Sequence, residues 1–154
     1  RPHRGARVRA VTSQELGQIY PVRAALEEVA GRAAAARISG EQLSALADEL
    51  ADMCQAAEAQ DLHAQLLHDV RFHEIIVEAS GNQILAEVWR SLRVEARTLI
   101  SVIRADSDLR MIAEMHRPVL QALQSRDPEL AGKEMRAHIE FFGSLVARRP
   151  EDHD

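Results

Sequence analysis

At 154 residues, 46% hydrophobic but only 3% aromatic, the chain has the length of one domain that buries about 68–70% of its unfolded surface and the Ala- and Leu-rich make-up of helices rather than strands. Its single cysteine, Cys54, excludes an internal disulfide, and no apolar run approaches the ~20 residues that span a bilayer. With no membrane span and no secretory signal visible, a cytoplasmic protein is expected, and a formal charge of −5 argues against nucleic-acid binding by the body of the chain.

The first eleven residues gather Arg1, Arg4, Arg7 and Arg9 ahead of any helical pattern, and 1–11 is expected to be a linker. Thr12 and Glu15 then form a capping box that opens a helix over Ser13–Arg37, and Ser39 with Gln42 opens a second that ends near Ala59. The second helix carries the stripe Leu43, Leu46, Leu50, Met53 and Ala57. A third runs from about Asp61 to Ala79 and stops at Ser80-Gly81-Asn82, where Asn82 can cap a fourth that reaches Arg104. Asp106-Ser107 starts a fifth. Asp127-Pro128-Glu129 starts a sixth, because Asp accepts free amides, Pro fits the first turn and Glu suits the positive end of the dipole. About six helices with short loops make an all-α antiparallel bundle over 12–148, followed by a disordered tail over 149–154.

Three of these helices place polar residues on their apolar stripes. Leu62, Leu66, Asp69, His73 and Ile76 recur at steps of four and three, as do Leu109, Ile112, His116, Val119 and Leu123, and Ala131, Met135, His138, Phe142 and Leu145. An unpartnered buried polar group costs roughly 2–7 kcal/mol even when neutral. One inward histidine is ordinarily a hydrogen-bonded core residue, but four inward residues able to bind a metal, on three seams, call for a common explanation. A shared divalent ion supplies it: three imidazoles and a carboxylate suit Zn²⁺, Ni²⁺, Co²⁺, Mn²⁺ or Fe²⁺, and the set does not choose among them. His63 and His68 fall off the stripe, and His3 and His153 lie in the chain ends.

Five short segments carry a family resemblance: Ile19-Tyr20-Pro21-Val22-Arg23-Ala24-Ala25-Leu26-Glu27, Asp69-Val70-Arg71-Phe72-His73, Ser80-Gly81-Asn82, Glu114-Met115-His116-Arg117 and Met135-Arg136-Ala137-His138. In this order, across most of the chain, they resemble the effector-binding FCD domain of FadR-type transcription regulators in the GntR superfamily. The resemblance implies a six-helix domain of the metal-containing branch, with Asp69, His73, His116 and His138 as ligands of one divalent transition metal. It implies a homodimer and a small carboxylate effector, with Arg23 as the opening-helix arginine that faces the pocket, and no enzyme activity. DNA contact would come only through an N-terminal winged helix-turn-helix, of whose wing Arg4–Val11 resembles the end. Arg93, at the border of the stripe Leu85, Val88, Leu92, Ala96 and Leu99, is the second candidate anchor, and Asn82 is a further candidate contact as well as a cap. Pro118 departs from the family pattern and is expected to kink the fifth helix near His116.

The rival class is an HD-type metal-dependent phosphohydrolase, for which His68-Asp69 would be the adjacent pair and His63 the upstream histidine. Adjacent helical residues point ~100° apart, so only Asp69 lies on the stripe and His73 is its partner there. A di-iron carboxylate bundle needs paired Glu-x-x-His segments, which are absent. A purely structural dimerisation module has no use for four inward ligands.

Overall fold

The computed structural model describes residues 12–94, 97–98 and 106–147, so the linker expected over 1–11 and the tail expected over 149–154 lie outside the described residues. Seven helices stand among them: α1 (Ser13–Arg37), α2 (Gly40–Glu58), α3 (Leu62–Ala79), α4 (Gln83–Ser91), α5 (Leu109–Glu114), α6 (Arg117–Ser125) and α7 (Pro128–Ala147). No strand occurs among the described residues, and the fold is all-α as the composition implies.

Local chemistry sets the helix starts. Thr12 Oγ1 accepts from Glu15 N while Glu15 Oε2 accepts from Thr12 N, both at 3.1 Å, and Ser39 with Gln42 repeats the box on α2. Asp61 Oδ1 accepts from Ala64 N at 3.0 Å to open α3, and Asp127 Oδ1 accepts from Glu129 N and Leu130 N at 3.0 and 3.1 Å to open α7. Each such cap satisfies amides that the first turn leaves without partners. Between α3 and α4 the chain turns at Gly81, whose φ of +68° favours glycine, and a Cβ there would meet the Arg37 guanidinium at 2.6 Å.

The expected fourth and fifth helices are both interrupted. α4 stops at Ser91, and Arg93 takes a left-handed φ of 50°; Val94, Arg97 and Thr98 are helical again, and the remainder up to Arg104 lies outside the described residues. The buried face of α4 is Leu85, Ala86 and Trp89, while Val88 is 40% exposed. Burying the large indole decides this register over the expected Leu85/Val88/Leu92 stripe. The fifth helix breaks into α5 and α6 because Pro118, having no N–H, cannot bond the carbonyl four residues back. It sits instead in the first turn of α6, where a missing donor costs nothing.

α1 packs most extensively along α7, and α2 along α3, with α1 also crossing α3. The α1–α7 approach is close at Gly31, where a Cβ would stand 2.6 Å from Met135 Cγ and 3.0 Å from Ala131 O. The three stripes named above do face inward: Leu66, Ile76, Val119, Leu123, Ala131, Met135 and Phe142 are all buried. A main core joins α1, α2, α3, α4, α6 and α7. A smaller apolar group of Tyr20, Ala24, Ile112, Ile139 and Phe142 closes the end of the bundle near the polar residues described next. No described helix is long and apolar enough to cross a membrane.

Candidate metal centre

Three parts of the fold converge on one polar cluster inside this core. α3 supplies Asp69 and His73, one turn apart on its inward face and 6% and 0% exposed. The α5–α6 junction supplies His116, also buried, and α7 supplies His138, half-buried as a residue but with a buried Nδ1. The three imidazoles offer nitrogens that all lie within 4.8 Å of one another. Nε2 of His73 and Nε2 of His116 stand 3.3 and 3.2 Å from Asp69 Oδ1, and Nε2 of His138 stands 3.2 Å from Nε2 of His73.

The break before Pro118 helps to aim His116. His116 N donates to Ala113 O, three residues back rather than four. Ile112 O then accepts from the imidazole, whose Nδ1 is 3.0 Å away, and a T-shaped contact with Phe72, centroids 5.1 Å apart, holds the ring from the other side. The kink expected at Pro118 therefore exists, and His116 still reaches its partners.

Protons can be assigned from these partners. A carbonyl only accepts, so His116 Nδ1 carries the hydrogen given to Ile112 O; His73 Nδ1 likewise donates to Glu27 Oε1 at 2.5 Å. When neutral, both rings present bare Nε2 lone pairs to a carboxylate oxygen, and His73 presents its lone pair to a third imidazole as well. Such a set needs a shared proton or a cation. Ligand atoms bound at about 2.0–2.2 Å to one ion stand about 3.0 Å apart at octahedral corners and about 3.4 Å at tetrahedral ones, and the observed separations of 3.2–3.3 Å fall in that range. His138 turns Nε2 to the cluster, while its buried Nδ1 has no hydrogen-bond partner among the described residues. The donor set of three nitrogens and one hard oxygen fits a divalent transition metal.

Electrostatics around the cluster are strongly coupled. Burial opposes charge on Asp69, but His116 and His73 outweigh it and hold the carboxyl well below its usual range. Burial also opposes charge on His73, but Glu27 and a hydrogen bond that the protonated ring donates to Asp69 raise it from 6.5 to about 9. For His138, burial and the two neighbouring imidazoles act together and push it well below the usual value, so it is neutral. Arg23 on α1 donates from Nε to Glu27 Oε2 at 2.6 Å and from Nη1 to Thr98 Oγ1 at 3.2 Å. Despite burial, Glu27 keeps this guanidinium firmly charged, while Arg23 and His73 hold the Glu27 carboxyl below its usual range.

Arg23, Asp69, His73, His116, His138 and Thr98 line a shared cavity of about 10 Å³, roughly the space of a single water. Arg93 does not join it: that residue is exposed at the end of α4. Asn82 accepts from Leu85 N at 3.0 Å and serves α4 as its cap. His68 turns outward to Glu49, 2.7 Å from its Nδ1, and His63 is exposed, so the HD-type pairing is not assembled. Glu27 and Thr98 are participants that the sequence reading missed. Glu27 had a visible signal, lying one turn from Arg23 on the face that also carries Leu16, Tyr20 and Ala24.

A family model of the FCD domain matches residues 18–141. The chain belongs to the FCD domain family. Among curated relatives, this FCD domain is 33% identical over 142 residues to a probable D-xylose utilization operon transcriptional repressor of Paenarthrobacter nicotinovorans, covering 92% of the chain and 62% of that protein. It is 28% identical to the gluconate operon transcriptional repressor of Bacillus licheniformis, covering 88% of the chain and 58% of the relative. The chain thus spans about three fifths of the length of these curated relatives. Of solved structures, E. coli McbR/YncC superposes with a TM-score of 0.79 at 24% identity, over 89% of this chain and 70% of the other. Streptococcus agalactiae GntR gives 0.75 at 24% identity, over 91% and 63%. These two likenesses establish the shared all-α fold. The relatives repress transcription rather than catalyse reactions, which sets the phosphohydrolase alternative aside.

Proposed function

We propose that this FCD domain is the ligand-sensing and dimerisation part of a cytoplasmic GntR/FadR-type transcription regulator, with Asp69, His73, His116 and His138 holding one divalent metal. The observation that carries this reading is the edge-to-edge placement of Asp69 Oδ1 and three imidazole Nε2 atoms, 3.2–3.3 Å between neighbours, inside the core. Four protein ligands on a six-coordinate ion leave two positions, and the ion when bound supplies a Lewis-acidic seat for a carboxylate. Arg23 is the second anchor, since its guanidinium lines the same cavity and can pair bidentately with an acid. Arg93, exposed beyond the end of α4, and Asn82, which caps that helix, take no part. The operons named for the relatives, D-xylose and gluconate, direct the choice of acid toward small sugar acids and hydroxy acids.

The cavity of about 10 Å³ admits an ion or a water but not an acid. Binding an acid therefore requires α1, through Arg23, or the segment that carries Thr98 to move. This is the two-state behaviour that a ligand must bias in order to regulate anything. DNA contact belongs, in this reading, to an N-terminal winged helix-turn-helix preceding residue 12. Pairing with a second copy is supported by apolar side chains left on the surface of two touching helices, Val22 and Val29 on α1 and Ile84 and Val88 on α4, which are 40–75% exposed. Thermal melts of the metal-loaded and chelated protein against a panel of small carboxylates test the reading. A stabilising acid that works only with metal present is expected, and equal responses without metal would overturn the metal seat.

A further inference from the structure

We propose that Glu27 is the positioning residue that ties the metal ligands to the effector anchor, an inference that rests on the metal-site reading above. Glu27 is fully buried at 0% exposure, and each of its oxygens has one partner: Oε1 takes the Nδ1–H of His73 at 2.5 Å and Oε2 takes the Nε–H of Arg23 at 2.6 Å. Among the described residues no lysine or second arginine shares it, and a charge this deep is retained only where it is paired on both sides.

The two bonds do different work. Toward His73, a carboxylate that accepts the Nδ1–H fixes the tautomer, turns Nε2 to Asp69 and His138, and raises the basicity of the ring. Partners of this kind are worth about 10–100-fold in metal affinity. Toward Arg23, Glu27 fixes the guanidinium at Nε while Thr98 takes one Nη1 hydrogen, which leaves further donors of the fork on the cavity side. Arg23 and Glu27 lie one turn apart on α1, whereas His73 is on α3. A carboxylate that draws Arg23 away from Glu27 therefore changes the partner of a metal ligand on a different helix. Metal occupancy and acid occupancy are linked through one side chain.

The test is Zn²⁺ affinity, by competition with a chromophoric chelator, for the wild-type chain and Glu27→Gln, alongside the Tm gain each shows on adding Zn²⁺. Glu27→Gln is expected to bind Zn²⁺ about 10–100-fold more weakly and to show a smaller Tm gain. A purely structural salt bridge would instead lower the Tm of both forms equally and leave affinity intact, and that result overturns the role assigned to Glu27. If Glu27→Gln does not fold, long-range ¹H–¹⁵N spectra of the wild-type Zn²⁺ form decide. His73 protonated at Nδ1 supports the proposal, and His73 bound through Nδ1 refutes it. A wild-type chain that takes up no Zn²⁺ removes the metal reading and this inference together, whereas equal binding by wild type and variant removes only the inference.

Discussion

Stripping metal from the protein should uncover a pH dependence whose sign follows from the site. In the metal-free cluster the proton that reconciles the facing lone pairs sits on His73; burial opposes it, but Glu27 and Asp69 raise the group from 6.5 to about 9. A folded-state pKa above the unfolded one means that protonation stabilises the fold. The contribution is complete below pH ~6.5 and is lost as pH rises through about 9. A shift of this size corresponds to about 3 kcal/mol at the acid end, of which roughly 2 kcal/mol disappears between pH 7 and pH 9. In a domain of this length 1 kcal/mol moves Tm by about 2–4 °C. Chelated wild-type protein should therefore lose about 4–8 °C across that range relative to chelated His73→Gln melted in the same buffers. The subtraction is needed because burial and Glu114 also raise the Cys54 thiol, which adds its own decline at alkaline pH. With Zn²⁺ bound, His73 is neutral throughout and the decline attributable to it should vanish. A difference curve that stays flat or rises from pH 7 to pH 9 would refute a protonated His73 held between two carboxylates.

Gly31→Ala should cost about 1–3 kcal/mol in chemical denaturation, because the new Cβ meets Met135 Cγ at 2.6 Å and the Ala131 carbonyl oxygen at 3.0 Å where α1 crosses α7; a neutral result would mean that this approach relaxes freely. Phe72→Ala should cost about 3–5 kcal/mol and also weaken Zn²⁺ uptake, since the ring that is lost both fills the core and steadies His116. A stability loss with unchanged Zn²⁺ affinity would show that Ile112 O alone orients His116.

Much of this architecture is written in short-range chemistry. The two capping boxes, the Asp61 and Asp127 caps and the turn at Gly81 each need only neighbouring residues, and the stripes on α3, α5–α6 and α7 need only the helical period, so the sequence alone aligns Asp69, His73, His116 and His138. Three features are not carried by periodicity. α1 is alanine-rich with apolar residues all round, so periodicity alone offers a false inward line through Ile19, Val22 and Leu26, although Val22 is 48% exposed and the buried line is Leu16, Tyr20, Arg23, Glu27 and Ala34. That wrong face is why Glu27 went unnoticed. On α4 two apolar registers compete, and only packing shows that Trp89 wins over Val88. The stripe Leu109, Ile112, His116, Val119 and Leu123 runs unbroken through a real break, because α5 and α6 keep one face inward while Pro118 withholds a backbone bond.

The most direct measurement is the metal content of the purified chain after incubation with Zn²⁺, compared among wild type, His116→Ala, His138→Ala and His68→Ala. Near one metal per chain in wild type and His68→Ala, with loss in His116→Ala and His138→Ala, is the predicted pattern. Metal that survives both of those substitutions, or a wild type that takes up none, would contradict a metal centre at Asp69, His73, His116 and His138.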